Sequence, residues 1–435
     1  SDPTHTQSYG LVVWRDRGSI PFDSIGALRA HCQCALPVDE RVEKAHVPIR
    51  TRDLPLPPCS QELTKIAMPV NFNEPLSFLQ RICEYLEYSE LLFQAEQCDC
   101  PTERLELIAA FAVSAVSSNW DRLGKPFNPL MGETYELDRV KDLGGGFRMV
   151  CEQVSHHPPI SAFHAESSDS AWRFHGSVTP RLSFWGKSVE VCPKGWVTLE
   201  FPRRGEVYTW QNVQCKIHNI IIGKLWIEHF GDMTITCHGS GRKAELSWHP
   251  ASWLSPSHHR VDGYVPKLRP SSFIAANSIS SGSAGDESPS RKAASDSEDG
   301  QTGPPSRGSA ADLRLPGQRL LWQLVQRPQG CERYYSFTRF AMQLNDCSDA
   351  ELMARLPPTD ARRKPDVRAL EAGDLALAQA EKSRLEEKQR RRRAQSDSDG
   401  VWFRRWRNPH TGKDGDWRFT GEYWARDWAR CPDIY

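Results

Sequence analysis

Two adjacent histidines, His156 and His157, are followed directly by Pro158 and Pro159 in the run EQVSHHPPISAF. Imidazole nitrogens can ligate a metal, transfer a proton or hold an anion, so the pair has three candidate chemistries. Neither proline can donate a hydrogen bond to a sheet ladder, so regular strand geometry should end there in a turn. A turn would let both rings face one site, whereas neighbouring residues within a strand point to opposite faces.

A metal or catalytic role finds little further support in the sequence. A zinc site needs more ligands at short spacing, and only one cysteine and one histidine lie close to the pair. The pairs Cys98 and Cys100, and Cys32 and Cys34, have the wrong spacing for a zinc knuckle and are expected to be free thiols. Because no G-x-S-x-G, H-E-x-x-H or phosphate-loop motif occurs, we expect no enzyme and no metal site, and a metal-dependent hydrolase that uses the histidines is the minor alternative. Ordinary strand-end surface is an equally good interpretation of the histidines taken alone.

A lysine in a turn is the second candidate. Lys125 opens the run KPFN, which continues with Pro126, Phe127 and Asn128 and follows Gly124. Glycine and proline predict a rigid loop whose backbone N–H groups stay free to meet an anion. A solvated loop lysine is the more common situation for such a residue in isolation.

The third candidate is a set of charges on one helix. Lys382, Glu386 and Arg390 stand four residues apart, so they lie within about 80° of one helix face. Glu386 would hold both cations by ion pairing while the cations reach a phosphate. An exposed helix with many salt bridges is the common alternative. The basic run at 390–393 is too unspecific to predict a nucleic-acid partner.

Composition limits the class of protein. Basic and acidic residues balance, at 55 each among 435 residues, which argues against a general polyanion-binding role. Thirteen cysteines without a repeating framework indicate a reducing compartment. The longest apolar run, 107–116, is about half the ~20 residues that a spanning helix needs. We therefore expect a soluble, cytoplasmic protein.

Hydrophobic periodicity predicts helices first and strands afterwards. Helical spacing covers 75–97 and 101–120, and the second of these is nearly all apolar. From about residue 134 the period changes to two, in short β-branched and aromatic runs typical of an antiparallel sheet that closes into a barrel or sandwich. Two more strand-like runs, 319–327 and 334–345, precede a helix at 375–393.

These segments together resemble the oxysterol-binding-protein-related family of lipid-transfer proteins, in particular its short members. The resemblance covers roughly 60–265 and 317–435 and rests on EQVSHHPPISAF, GKPFNPLMGETYE, FHGSVTPRLSFWGKSVEV, EKSRLEEKQR and the ending CPDIY. It implies a mainly β fold with flanking helices: a large incomplete antiparallel β-barrel enclosing a lipid tunnel, with N-terminal helices and a C-terminal helical subdomain.

The domain organisation that follows has four parts. They are a poorly structured segment at 1–60, the helices and barrel core at 61–265, a disordered insertion at 266–316, and the last strands with the C-terminal subdomain at 317–435. The family usually has a lid where this chain has RTRDLPLPPCSQ, and further strands where it passes into the insertion. We therefore expect an altered lid and the absence of one or two barrel strands.

The resemblance also implies a function. A sterol, oxysterol or other lipid would occupy the tunnel, phosphatidylinositol 4-phosphate would bind at its mouth, and the protein would exchange them between organelle membranes that it contacts peripherally. A lipid sensor or scaffold without net transfer is the alternative. No cofactor other than the bound lipid is implied. The implied headgroup contacts are Lys125, Pro126, Phe127, Asn128, His156, His157, Lys382, Glu386 and Arg390, and the implied sterol contacts are Asn119 and Trp120.

Overall fold

The structure is a computed structural model that describes residues 11–15, 69–142, 145–220, 222–250, 260–265, 318–393 and 400–435. The predicted insertion at 266–316, the divergent lid stretch and Cys32 and Cys34 lie outside the described residues. The predictions for those segments therefore stay predictions.

Strands dominate the described chain. Numbered along the sequence, they are β1 (Leu11–Arg15), β2 (Asn73–Ser77), β3 (Lys125–Phe127), β4 (Thr134–Asp138), β5 (Phe147–His156), β6 (Pro159–Ser167), β7 (Arg173–Trp185), β8 (Ser188–Lys194), β9 (Val197–Phe201), β10 (Glu206–Trp210), β11 (Gln214–His218), β12 (Trp226–Cys237), β13 (Lys243–His249), β14 (Arg260–Tyr264), β15 (Gln318–Gln323), β16 (Phe403–Trp406) and β17 (Asp416–Phe419). The helices are α1 (Phe78–Cys83), α2 (Glu90–Gln97), α3 (Pro101–Ser117), α4 (Arg339–Gln343), α5 (Ala350–Arg355), α6 (Pro365–Glu371) and α7 (Leu375–Arg393).

One large sheet contains most of the strands. Its order is β15-β1-β14-β13-β12-β10-β9-β7-β6-β5-β4, and β8 and β11 bridge β7 to β12 as a side extension. The outermost strands of this path, β15 and β4, do not pair with each other within the described residues, so the sheet is open. This confirms the predicted mainly β fold with a large, incomplete sheet. Every pairing in this sheet is antiparallel except that between β1 and β14.

Strand β1 is a difference from the sequence-based expectation. It lies in the segment predicted to be poorly structured, yet its backbone pairs in parallel with β14 and antiparallel with β15. The run LVVWR is β-branched and aromatic, which favours a strand once two edges are available. It occupies the position between β14 and β15, the part of the sheet in which strands were expected to be absent.

Helix α3 forms the centre of the apolar core. Its residues from Arg104 to Ser117 are buried apart from Leu107, as the apolar sequence predicted. Phe111 packs edge-on against Phe174 of β7 and Trp210 of β10, which joins the helix to two strands of the sheet. Burying a side chain of this size stabilises the fold by roughly 1.5–3 kcal/mol relative to leaving it exposed.

The run at 334–345 is helical where a strand was predicted. Helix α4 begins after Thr338, whose hydroxyl oxygen accepts a hydrogen bond from the Ala341 backbone N–H at 3.1 Å. The side chains of Phe337, Ala341 and Leu344 are buried at helical spacing. The cap and this spacing outweigh the aromatic composition that favoured a strand. The predicted helix at 75–97 is likewise interrupted, since it contains α1, a 3-10 turn and α2.

Candidate functional site

The turn between β5 and β6 holds the two histidines side by side. His156 stands opposite Pro159 in the strand register, and the ring centroids of His156 and His157 are 4.6 Å apart at an interplanar angle of 75°. A register shift precedes the turn, between Gln153 and Ser155. The Gln153 amide donates to the backbone carbonyl of Ser155 at 3.0 Å. The two imidazoles are therefore neighbours at a strand end.

Helix α7 reaches this turn through a residue that sequence reasoning missed. The Gln389 side-chain nitrogen donates to Nε2 of His156 at 2.8 Å, and its carbonyl oxygen accepts from the Met131 backbone N–H at 2.7 Å. Gln389 thus connects the histidine turn to the loop that follows Lys125. Its position seven residues after Lys382, two turns along one helix face, was the available signal.

Lys125 lies in a short strand rather than in the predicted loop. Strand β3 pairs in parallel with β2, and the Asn73 side-chain amide donates to the backbone carbonyls of Lys125 at 3.1 Å and Pro126 at 3.4 Å. A Cβ on Gly124 would lie 2.8 Å from the Cβ of Glu74, so only glycine lets the two strands approach this closely. These contacts fix the backbone from which the Lys125 side chain extends.

Two lysines from different elements meet near this strand. Lys382 forms an ion pair with Glu386 at 2.9 Å on α7. Desolvation, and then the positive charge of Lys382, lower the pKa of Lys125, while Glu386 opposes the shift. The surface of the Lys125 side chain is nonetheless exposed, so solvent screens both the desolvation and the repulsion between the two ammonium groups. An anion placed between the two ammonium groups would relieve their repulsion.

Arg390 differs from the sequence-based expectation. Its guanidinium pairs with Glu387 at 2.8 Å and is 66% exposed, whereas the carboxylate of Glu386 pairs with Lys382. The prediction that Glu386 holds both cations is therefore wrong for Arg390. The reason is spacing, because an acid three residues before an arginine is also within reach on a helix surface.

The other residues of the KPFN run have different surroundings. Phe127 is buried in an apolar cluster with Val367 and Leu370 of α6, so its side chain positions the strand and cannot contact a ligand at the surface. Pro126 is half-buried and Asn128 is exposed. The Asn128 backbone carbonyl accepts a hydrogen bond from Nζ of Lys364 at 2.9 Å.

Lys364 belongs to a buried polar network that sequence reasoning did not identify. Its ammonium lies 3.1 Å from Glu133, whose carboxylate also accepts from the Ser77 hydroxyl at 2.5 Å and from the Leu130 backbone N–H at 2.9 Å. Burial opposes the charge of Lys364, but Glu133 and then Asp366 raise its pKa above the ordinary value. The network fixes the segment between Lys125 and β4 to the segment that precedes α6.

A second buried network lies beneath the same strands. The Arg122 guanidinium is fully buried between the carboxylates of Glu74 and Glu84, at 2.9 Å and 3.0 Å. Arg81 pairs with Glu74 at 2.6 Å, and its Nε donates to the side-chain carbonyl of Asn119 at 2.7 Å. This network joins β2, α1 and the end of α3.

The two candidate sterol contacts lie at the end of α3. The Asn119 carbonyl takes part in the ion-pair network through Arg81. Trp120 is buried and packs edge-on against Trp322 of β15, at 6.4 Å between ring centroids. Both residues therefore have a structural role in this chain, and their contact with a sterol stays a prediction.

Metal-ligand clusters, thiols and apolar helices are further features to consider in the described residues. No group of three or more histidine, cysteine or acidic side chains is arranged to hold a metal ion within the described ranges. Cys98 and Cys100 are free thiols. Among the helices that the structure describes, none is long and apolar enough to cross a membrane.

The sequence is similar to a family of lipid-binding proteins. Residues 58–428 match the family model described as oxysterol-binding protein. Oxysterol-binding protein-related protein 2 from Mus musculus is 45% identical over 405 residues, which cover 86% of this chain and 82% of that protein. Oxysterol-binding protein-related protein 1 from Rattus norvegicus is 45% identical over 398 residues. The chain spans 41% of the length of this second relative.

Solved structures with the same fold contain lipids. The Osh3 ORD from Saccharomyces cerevisiae in complex with PI(4)P superposes with a TM-score of 0.66 at 28% identity, covering 87% of this chain and 93% of that one. The Osh1 ORD domain in complex with cholesterol superposes with a TM-score of 0.67 at 30% identity, covering 86% and 88%. In both structures the lipid is a ligand.

Proposed function

Since the chain belongs to the oxysterol-binding protein family, we propose that it is an intracellular lipid-transfer protein. It binds a sterol or another lipid in its interior and phosphatidylinositol 4-phosphate at the site formed by the histidine turn, β3 and α7. It exchanges these lipids between organelle membranes that it contacts from the cytoplasm. This lipid exchange forms and breaks no covalent bond, so the protein would act as a carrier.

The observation that carries the proposal is the position of α7. One face of this helix contacts His156 through Gln389 and places Lys382 close enough to Lys125 to lower its pKa. Seven residues of helix separate Lys382 from Gln389, a rise of about 10 Å. Lysines and imidazoles spaced over this distance fit the several phosphate oxygens of an inositol phosphate, which needs charged donors when it leaves water.

The headgroup site is proposed to contain residues with different roles. Lys125, His156, His157 and Lys382 would donate to the phosphates, and Glu386 would hold Lys382 in place. Pro126, Phe127 and Asn128 would position the strand and offer backbone groups. Arg390 would break its ion pair with Glu387 and add positive charge at the edge of the headgroup site.

An extraction assay tests the proposal. The full chain is mixed with liposomes that contain either phosphatidylinositol 4-phosphate or a fluorescent sterol, and protein-bound lipid is measured after the liposomes are removed. We expect the double variant His156→Ala, His157→Ala to lose the phosphoinositide and to retain the sterol. The matched control replaces two exposed histidines elsewhere, His249→Ala with His410→Ala, and should extract both lipids.

Three outcomes separate the alternatives. Failure of the unmodified chain to extract any lipid would contradict the proposal. Extraction of both lipids without transfer to acceptor liposomes would favour the sensor or scaffold instead. Equal loss of sterol and phosphoinositide in the double variant would indicate a folding defect and contradict a specific headgroup role for the histidines.

A further inference from the structure

The turn between β7 and β8 exposes large apolar side chains. Residues 181–187 are all exposed, and among them Leu182, Phe184 and Trp185 leave 52%, 36% and 63% of their surface in contact with water. Single exposed apolar residues are common, but several at one hairpin end indicate an interaction surface. The residues belong to a side extension of the sheet, because beyond Thr179 strand β7 pairs with β8 alone.

These side chains lie on both faces of the hairpin. Successive strand residues point to opposite sides, so Trp185 projects from one face and Phe184 from the other, with Leu182 on the same face as Phe184. The strand register pairs Phe184 with Val189 and Trp185 with Ser188. These two neighbouring cross-strand pairs lie on opposite faces of the hairpin. A protein surface that covered Phe184 would leave Trp185 in water. A medium that surrounds the turn would bury both.

The loop between β11 and β12 extends the same apolar end. The Ile220 backbone N–H donates to the Lys187 carbonyl at 3.0 Å, which holds this loop against the β7–β8 turn. The Asn219 side-chain amide donates to the Lys224 carbonyl at 2.9 Å and closes the loop. Ile222 is thereby presented with 73% of its surface exposed.

Within the β7–β8 turn and the β11–β12 loop the charged residues are all basic, and the acid of the adjoining strand, Glu190, stands opposite Ser183. Arg181, Lys187 and Lys224 are exposed, and the segments 181–188 and 219–225 contain no aspartate or glutamate. Cations attract a surface of anionic lipid headgroups, with about 1 kcal/mol for each lysine or arginine near the surface. Tryptophan favours the boundary between headgroups and acyl chains, because its ring is amphipathic.

We propose that this region docks the protein on anionic lipid bilayers. The apolar tip, defined as Leu182, Phe184, Trp185 and Ile222, inserts below the headgroups, while Lys187 and Lys224 contact lipid phosphates. A bilayer satisfies both faces of the hairpin at once, which a flat protein partner does not. The inference extends the proposed function, since a lipid carrier must reach a membrane, but docking requires neither bound sterol nor bound phosphoinositide.

Vesicle flotation tests the docking surface independently of lipid exchange. Vesicles of equimolar phosphatidylcholine and phosphatidylserine, without sterol or phosphoinositide, are mixed with the full chain. We expect Trp185→Glu to weaken vesicle binding roughly tenfold or more, because a carboxylate replaces a buried aromatic ring. The matched control is Leu377→Glu, at an apolar position on α7 that is 49% exposed, and should bind like the unmodified chain.

The outcomes distinguish this inference from the proposed function. Equal vesicle binding by Trp185→Glu and the unmodified chain would overturn the inference, and the proposed lipid extraction would still stand. Loss of phosphoinositide extraction in the histidine variant with normal vesicle binding would leave the inference intact.

Quenching of tryptophan fluorescence by brominated lipids gives a second measurement. Trp185→Phe keeps an apolar ring and should bind vesicles with similar affinity. We expect quenching to be smaller in this variant than in the unmodified chain, because the inference places the Trp185 ring at the boundary between headgroups and acyl chains. Undiminished quenching would show that Trp185 stays outside the bilayer and would overturn the inference.

Discussion

Two hairpin turns of one sheet differ in what surrounds them. The β5–β6 turn, with His156 and His157, contacts α7 through Gln389, and Gln389 also accepts a hydrogen bond from Met131 in the loop between β3 and β4. The β7–β8 turn is exposed along 181–187 and contacts one neighbouring loop. A polar ligand site needs fixed donors, so other elements support it. A surface that enters a bilayer needs exposed apolar side chains instead.

The largest expected effect concerns the buried Arg122 network, which holds β2, the strand that pairs with the Lys125 strand. Arg122→Leu would leave Glu74 and Glu84 buried beside an aliphatic side chain. Removing one partner from a buried ion-pair network costs about 3–5 kcal/mol, because the remaining charges lose their compensation. We expect urea denaturation, followed by circular dichroism, to show a decrease of that size in the free energy of unfolding.

The control for this variant is an exposed arginine. Arg390→Leu removes a surface ion pair and should change the free energy of unfolding by no more than about 0.5 kcal/mol. Trp185→Glu in the apolar tip should also have little effect on stability. A decrease below about 1 kcal/mol for Arg122→Leu would contradict the idea that this buried ion-pair network stabilises the fold.

A smaller effect is expected within the headgroup site. Lys382 is 13% exposed and lies beside Lys125, whereas Arg390 is 66% exposed and paired with Glu387. Charge-assisted hydrogen bonds are stronger where solvent is excluded, so Lys382→Ala should weaken binding of phosphatidylinositol 4-phosphate roughly tenfold and Arg390→Ala by less than about threefold. Affinity for a soluble, short-chain form of this lipid measures both. A larger loss of affinity for Arg390→Ala than for Lys382→Ala would show that Arg390 breaks its ion pair with Glu387 and becomes the main phosphate contact.

A pH dependence of stability is expected near the β5–β6 turn. Glu152 of β5 is buried and accepts hydrogen bonds from the backbone N–H groups of Val401 at 2.6 Å and Trp402 at 2.9 Å. Desolvation raises its pKa from 4.5 to about 7, although these hydrogen bonds oppose the shift. Between these two values the folded state holds a proton that the unfolded state has released. The contribution of Glu152 to the free energy of unfolding therefore decreases as pH rises from about 4.5 to about 7.

Glu152→Gln removes the titrating group and keeps a hydrogen-bond acceptor. Denaturation midpoints measured at several pH values should decrease less steeply over that range in the variant than in the unmodified chain. An exposed substitution, Glu387→Gln, provides the control. Identical slopes for Glu152→Gln and the unmodified chain would mean that Glu152 stays ionised in the fold, held by its backbone donors.

Local sequence patterns predicted the secondary structure correctly where one physical requirement, such as the burial of an apolar run, dominated. The apolar run at 101–120 had to be a buried helix, and the structure places α3 at Pro101–Ser117. The charged run at 375–393 is helix α7 with the same bounds. Alternating strands predicted the large sheet. Patterns failed at 334–345, where aromatic residues suggested a strand but the Thr338 cap and the spacing of buried residues produced α4.

The site was harder to predict than the elements that carry it. The histidine pair, Lys125 and Lys382 were identifiable as single features, but each also had an ordinary interpretation. Gln389 carried only its spacing from Lys382 as a signal, and the buried Glu133–Lys364 pair carried none, because the partners of both lie more than two hundred residues away in sequence. Arg390 was assigned to the wrong acid, since helix spacing allows either Glu386 or Glu387.

The sequence by itself determined the family, the mainly β fold and the helix that carries Lys382, because periodicity and long matching motifs depend only on the order of residues. The tertiary structure decided which charges share a site and which apolar residues stay exposed. Those properties depend on contacts between distant segments, such as α7 with the histidine turn, and no local pattern records them. Pairing of β1 between β14 and β15 is the same kind of outcome, since a strand's partner is set by which sheet edge is available.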